Sequence, residues 1–420
     1  MGQPINRWLI LFAGFIFNFS LSSTSAFSIF VLPVAQETGW AAGSITLAYT
    51  FYNVMLCIFG IVIGAIGTKI SPRVLMYVGS TFFVAGWIVT GLATSLAMFY
   101  LGFGILAGIG GGMLYNFTVT NTMKFFPDRK GFASGLLLGG AAIGPVFTAP
   151  LATALLGSMS VFRAYIVLGI IYAALMFAVA WIIRTPAPDY KPAGWTPPAT
   201  AAATSTGARD VAWREMLKTP TFWLLYVIFV LACTPTMMML SNVAKIGAEQ
   251  AALSASQMAL AVSLLAICNF LGRLFFGTLS DRIGRYQTLL LALGILTVSV
   301  LVISQITSAI PFMLAVCVIG ACGGALLVMF PPITSDLFGV KHSGMNYAIL
   351  FSAYSIASLV GPQLVARFAR ATSDGTSYTL AFLVAAGLMV VACALLVVIT
   401  KQARKVATGA NAVTPKKSAR

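Results

Sequence analysis

Negative charge is scarce in this sequence, and charge of either sign is uncommon. Of 420 residues nine are Asp or Glu, against 25 Lys and Arg, and together the charged residues make up 8%. There is one histidine, His342, and the six cysteines show neither metal-ligand spacing nor a disulfide pattern. Intramembrane catalysis would need paired acids, metal ligands or a nucleophile with its base at membrane depth. The apolar segments hold no histidine and no acid well inside them. No enzyme activity, metal or cofactor is therefore expected.

What is present in abundance is apolar surface. Hydrophobic residues account for 59% of the chain and the mean hydropathy is +0.96, more than a soluble domain of this size could bury. Twelve segments are long enough to span a bilayer, at roughly 8–32, 44–67, 73–95, 98–123, 131–156, 162–183, 219–245, 255–279, 285–306, 309–334, 343–371 and 376–400, each with ~20 or more mainly apolar residues. The first is read as a retained helix because of its length and the segments that follow. The cysteines fall within these segments and read as small core hydrophobes.

The net charge of +16 could suggest nucleic acid, but its placement argues for a membrane. With the N-terminus inside, the outer connections carry Arg163, Lys245, Arg367 and Arg370. Apart from these and Arg273, every Lys and Arg falls on the inner connections and tails, among them Lys69, Arg73, Lys124, Arg129, Lys130, Arg214, Lys218, Arg282 and Arg285. This bias sets both termini in the cytoplasm of a multi-pass inner-membrane protein. The expected partners are the lipid bilayer and a small solute, with no nucleic acid and a functional monomer.

Residues 184–218 are rich in Ala, Pro, Thr and Ser and read as a cytoplasmic linker. It separates a six-helix bundle over 1–183 from a second over 219–400, with a basic tail over 401–420. The two halves resemble one another at a nearly constant offset. Trp8 matches Trp223, Gly64–Lys69 matches Gly277–Arg282, and Gly111-Gly112 matches Gly323-Gly324. Phe125–Gly131 matches Phe338–Gly344, and Gly144-Pro145 matches Gly361-Pro362. An internal repeat of this kind predicts an all-α membrane protein whose solute site lies at the midplane between two bundles.

Gly277-Thr-Leu-Ser-Asp-Arg-Ile-Gly-Arg285 resembles the signature that follows an even-numbered helix in the major facilitator superfamily; the first-half copy has Thr68 in place of the acid. Within that superfamily, Phe125-Phe-Pro-Asp-Arg-Lys-Gly131, Tyr115 and Arg273 resemble the monocarboxylate transporter and oxalate/formate antiporter branch. The resemblance covers nearly the whole chain except linker and tail. It implies that Asp281, Arg282 and Arg285 form a gate, with Asp281 binding a neighbouring helix N-terminus or an arginine in one state only.

Arg273 lies about 12 Å further along its helix than Asp281, at 1.5 Å per residue, deep inside an apolar run. A guanidinium there costs ~3 kcal/mol or more and keeps its proton. The nine acids are Glu37, Asp128, Asp189, Asp210, Glu215, Glu249, Asp281, Asp336 and Asp374, and none has an obvious path to it. A structural arginine reaching the inner surface or a helix-end carbonyl is the plain alternative. The reading preferred is a visiting carboxylate, which guanidinium forks match in bidentate fashion. Asn269, one turn earlier, shares the face of Arg273.

Tyr115 resembles a substrate-facing tyrosine of the branch, and Tyr354, Phe330 and Phe351 are candidates for the cavity wall. In the oxalate exchangers a lysine on the eleventh helix is expected to hold a second carboxylate; the matching residue here is Tyr354. One fixed charge suits one carboxylate, so lactate- or pyruvate-sized anions lead, with an oxalate/formate-type exchanger as the alternative and a non-transporting scaffold more remote. Coupling stays open between anion exchange and proton symport. Glu249, expected in the loop after the seventh helix, is the candidate proton carrier. Gly104, Gly108 and Gly112 predict close helix approach, and the two Gly-Pro pairs predict bent helices.

Overall fold

The computed structural model describes residues 6–187, 190–192, 210–372 and 375–411. Among them are twelve helices long and apolar enough to cross a membrane. They are α1 (Arg7–Thr38), α2 (Ala42–Ile66), α3 (Pro72–Gly91), α4 (Leu96–Met123), α5 (Lys130–Leu156) and α6 (Val161–Ala180) in the first half. The second half holds α7 (Pro220–Ala251), α8 (Ala255–Ile283), α9 (Arg285–Ile303), α10 (Ala309–Phe338), α11 (Ser343–Phe368) and α12 (Thr379–Asn411). A two-stranded hairpin, β1 (Arg370–Thr372) paired with β2 (Gly375–Ser377), joins the last two. Residues 193–209 of the linker and 412–420 of the tail lie outside the described residues.

Local chemistry sets the helix starts. Ser160 and Thr219 accept backbone N–H groups as N-caps, and Ser254 with Gln257 forms a capping box ahead of α8. Pro72 and Pro220 occupy first-turn positions, where no donor is needed.

Three helices differ from the sequence expectation. α1 runs on to Thr38 and ends at Gly39, whose φ of 73° closes it. It passes through a tightened turn at Ser22–Phe27, where Ser20, Ser22 and Thr24 hydroxyls bond back to the carbonyls of Ile16, Phe19 and Leu21. α4 contains a π-helical stretch, Tyr100–Leu106. A Cβ on Gly102 there would meet the Thr90 amide at 2.6 Å, so α3 and α4 touch through backbone. α7 extends to Ala251, which brings Glu249 into its last turn rather than a loop.

The small-residue stripe of α4 lies against α2. Cβ atoms on Gly104 and Gly108 would come within 2.8 Å of Phe51 and 2.7 Å of Met55. Buried apolar side chains gather in two clusters. One includes Phe17, Phe30, Trp87 and Tyr165; the other includes Phe229, Phe330, Tyr378 and Met389. The halves meet along two seams. α2 packs on α11, with Cys57 Sγ 3.6 Å from Ser355 Oγ and Gly64 so close that a Cβ would be 2.7 Å from Met345 Cα. α5 packs on α8, where a Cβ on Gly135 would sit 2.5 Å from the Arg273 carbonyl oxygen.

Arg129 and Lys130 at the start of α5, Arg282 at the end of α8 and Arg285 at the start of α9 share one end of the bundle, called the basic face below. Large apolar residues on the outer surface, among them Ile310, Leu359 and Phe275, are exposed, as expected of helices solvated by lipid.

Candidate functional site

α8 carries Arg273 to the meeting point of α5, α8 and α10. The side chain is 8% exposed, and it is the single charged residue among the buried ones in the described residues. Its Nε donates to Asn269 Oδ1 at 3.0 Å, one helical turn away. Its Nη1 donates to the Leu138 carbonyl of α5. Asn269 Nδ2 in turn donates to the Gly320 carbonyl of α10 at 3.2 Å. Asn269 is thus the residue that orients the guanidinium. Glycines make the convergence feasible: a Cβ on Gly324 would press on the Asn269 carbonyl and lie 3.1 Å from Arg273 Cγ.

Among the described residues no carboxylate pairs with Arg273; the ion pairs involve Arg7, Arg129, Lys130 and Arg285 instead. The Leu138 carbonyl is a partial answer that sequence reasoning did not name. It takes up one N–H but supplies no negative charge, and other guanidinium donors remain. The phenols of Tyr354, Tyr115 and Tyr347 and the Cys233 thiol lie within electrostatic range.

Those phenols belong to an aromatic wall made by α4 and α11. Tyr115 and Tyr347 hydroxyls, from opposite halves, are 3.4 Å apart. The Phe351 ring lies 4.9 Å from that of Tyr115 and stacks on Tyr354 at 5.3 Å. Tyr115, Asn269, Arg273, Phe351 and Tyr354 are therefore brought together, and Tyr347 joins them. Phe330 is fully buried and stacked on Phe229 with ring centroids 3.7 Å apart; the Phe229 ring lies 6.4 Å from that of Tyr354.

At the basic face a second constellation bridges the halves. Asp281 accepts the backbone N–H groups of Gly131 and Phe132, each at 2.9 Å, at the start of α5, where unsatisfied amides and the helix dipole favour an anion. Arg285 lies 3.9 Å from Asp281 and donates to Asp336 at 2.6 Å. Lys130, from the first half, reaches the other Asp336 oxygen at 2.9 Å. Sequence reading assigned Asp336 no role in the gate, because an acid two residues from a helix end has no motif of its own. Arg282 is exposed and outside this network. Arg7 pairs with Asp128 at 2.6 Å.

Glu249 Oε2 accepts from the Tyr378 hydroxyl at 2.6 Å. Burial, and then the Glu249 carboxylate itself, push the Tyr378 phenol above its ordinary pKa. It stays a neutral donor. This pair lies at the end of the bundle opposite the basic face. His342 opens α11, its carbonyl accepting from the Asn346 amide at 3.0 Å. The six cysteines are free thiols, and among the described residues no group of three or more His, Cys, Asp or Glu could hold a metal.

Among the described residues, twelve apolar helices in two similar sets enclose one buried cation, the layout of a multi-pass membrane transporter. The chain belongs to the Major Facilitator Superfamily, whose model matches residues 10–250 and again 236–419. It is 28% identical over 384 residues to the oxalate:formate antiporter of Oxalobacter formigenes, covering 91% of this chain and 88% of that one. It is 26% identical to apicoplast pyruvate carrier 1 of Toxoplasma gondii, over 80% of this chain and 72% of the other. Monocarboxylate transporter 12 of Homo sapiens is 25% identical, over 79% and 68%. Among solved structures, the E. coli fucose:proton symporter superposes with a TM-score of 0.66 at 16% identity, covering 93% of this chain and 98% of that one. That likeness concerns the fold alone.

Proposed function

We propose that this transporter carries small monocarboxylates of the lactate and pyruvate class by alternating access. One observation carries the reading: Arg273 is buried and hydrogen-bonded, yet has no carboxylate partner among the described residues. A permanent charge at that depth is stabilised when an anion arrives. The carboxylate takes the remaining guanidinium donors, while Tyr115 and Tyr347 offer hydroxyls and Phe351 and Tyr354 an apolar wall. The names of the relatives, an oxalate:formate antiporter, a pyruvate carrier and a monocarboxylate transporter, support a small carboxylate.

The bundles over 1–183 and 219–400 are taken as the moving bodies, joined by the linker 184–218. The basic face is taken as cytoplasmic, and the state described here as closed on that side through Asp281, Lys130, Arg285 and Asp336. Anion binding at Arg273 neutralises the site and lets the halves rearrange. Glu249 is retained as the candidate proton carrier if the coupling is symport.

A second reading is a dicarboxylate exchanger, favoured by the 28% match to an oxalate:formate antiporter. It is disfavoured by Tyr354 standing where a second cation is expected. Purified protein in liposomes decides: lactate and pyruvate uptake is expected to exceed oxalate uptake. Acceleration by an imposed pH gradient marks symport, and dependence on internal anion marks exchange. Arg273→Gln should abolish carboxylate uptake while the protein stays monodisperse. Unchanged uptake in that variant overturns the assignment.

A further inference from the structure

The internal repeat pairs Gly131, the second residue of α5, with Gly344, the second residue of α11, and Gly277 of α8 with Gly64 of α2. Both pairs make the same backbone contact across the halves. A Cβ on Gly277 would lie 2.5 Å from the Gly131 carbonyl oxygen, and one on Gly64 would lie 2.8 Å from that of Gly344. The two seams differ in what fastens them. At the first, Asp281 accepts the Gly131 and Phe132 amides. At the second, the repeat counterpart of Asp281 is Thr68.

Asn116 of α4 bridges that second seam. Its Nδ2 donates to the Gly60 carbonyl of its own half at 2.6 Å and to the Gly344 carbonyl of the other half at 2.9 Å. Both partners are carbonyls, so the amide has to present its nitrogen to them. Its Oδ1 is left buried without a partner, and the side chain is 3% exposed. A buried amide with one end unsatisfied is a poor way to stabilise a helix interface, where a leucine of the same size would cost less. What the amide adds is a bond across the seam. One turn further along α11, the Tyr347 hydroxyl lies 3.4 Å from that of Tyr115, the residue before Asn116. The seam and the aromatic wall of the site therefore share the same two helices.

We propose that Asn116 is the gating residue of the α2–α11 seam: its bond to the Gly344 carbonyl holds the state closed at the basic face, as Asp281 does at the α5–α8 seam, with an uncharged donor in place of an acid. The bond to Gly60 lies within one half, so it persists when the halves part and keeps Nδ2 aimed for the return. A contact made in one state only shifts the population toward that state. This role rests on alternating access and on the closed state described above, and not on which cargo is carried.

The test reads the other seam, where a merely local disturbance at Asn116 has no effect. Ser134 Oγ of α5 lies 3.1 Å from the Val328 carbonyl of α10 across that seam. Ser134→Cys, in a full-length background with the native cysteines replaced, therefore reports opening there. Without cargo, its labelling by a water-soluble maleimide is expected to accelerate about three- to tenfold in Asn116→Leu, which keeps the volume and loses the donor. Asn116→Asp, which sets a carboxylate against two carbonyls, should accelerate it further. Adding Asp281→Asn to Asn116→Leu should multiply the two effects, because the contacts lie on separate seams. Should Asn116→Leu fail to fold, Asn116→Ser, too short to reach both carbonyls, is expected to accelerate labelling in the same way. An unchanged rate in the folded Asn116 variants, with acceleration in Asp281→Asn, overturns the gating role and leaves the closed state standing. Unchanged rates in every variant overturn both. No cargo is present in any of these measurements, so their failure leaves the carboxylate reading untouched.

Discussion

Asp281 caps α5 from the opposite half of the molecule, its Oδ1 2.9 Å from the Gly131 amide nitrogen. Oδ2 takes the Phe132 amide at the same distance. A carboxylate gives both bonds charge assistance, typically 1.5–3 kcal/mol each. The asparagine of Asp281→Asn keeps one acceptor and loses the charge. The closed state should lose a factor of about 10–100 relative to the open one. Cys57, 3.6 Å from Ser355 across the other seam, is a native reporter. In a background with the other cysteines replaced, its labelling by a water-soluble maleimide should accelerate about tenfold or more in Asp281→Asn. An unchanged rate would show that the cap does not hold the halves together.

The twelve-helix layout was legible because hydropathy needs only composition over ~20 residues. What escaped was tertiary. Leu138 meets Arg273 through a backbone carbonyl, and any residue type has one. Tyr347 pairs with Tyr115, whereas the resemblance drew notice to Tyr354, seven positions on. The π-helical stretch of α4 reflects backbone contact at Gly102, which periodicity does not encode. The stacking of Phe330 on Phe229 is likewise tertiary, since aromatics on a central helix can face either way.

Asn269 holds Arg273 without charge. Asn269→Asp places a resident carboxylate 3.0 Å from Nε, competing with any visiting anion. Uptake at pH 7 should fall at least tenfold. Pairing with the guanidinium holds the new carboxyl below the usual carboxylate range, so it stays ionised and uptake should remain depressed from about pH 8 down to about pH 5. Proteoliposome uptake across pH checks this. A variant that matches wild type at pH 7 would argue that cargo does not use the guanidinium.

Tyr115 and Tyr347 join the halves through two hydroxyls 3.4 Å apart. Removing either leaves the other buried without its partner, a cost of about 1 kcal/mol or a five-fold effect. Tyr115→Phe and Tyr347→Phe should each lower kcat/KM for pyruvate by that amount. The double variant should be no worse than either single one, because the interaction is already gone. Strictly additive losses would mean that the hydroxyls act on separate partners.

Gly324 brings α10 against Asn269 and Arg273, and its replacement tests whether that approach is required. A Cβ there presses on the Asn269 carbonyl and sits 3.1 Å from both Arg273 N and Cγ. The obstacle is backbone on one side and the hydrogen-bonded Arg273 on the other, so neither gives way cheaply. Gly324→Ala should cost about 1–3 kcal/mol of stability and most of the uptake, since α8 must shift to admit the methyl. Gly294 is the control: it lies inside α9 with nothing within 4 Å of its Cβ position. Gly294→Ala should stabilise by about 0.5–1 kcal/mol and leave uptake intact. Thermal midpoints and uptake of the two variants, measured side by side, separate a site held by contact from a helix that merely prefers alanine. Equal midpoints would remove Gly324 from the architecture of the site.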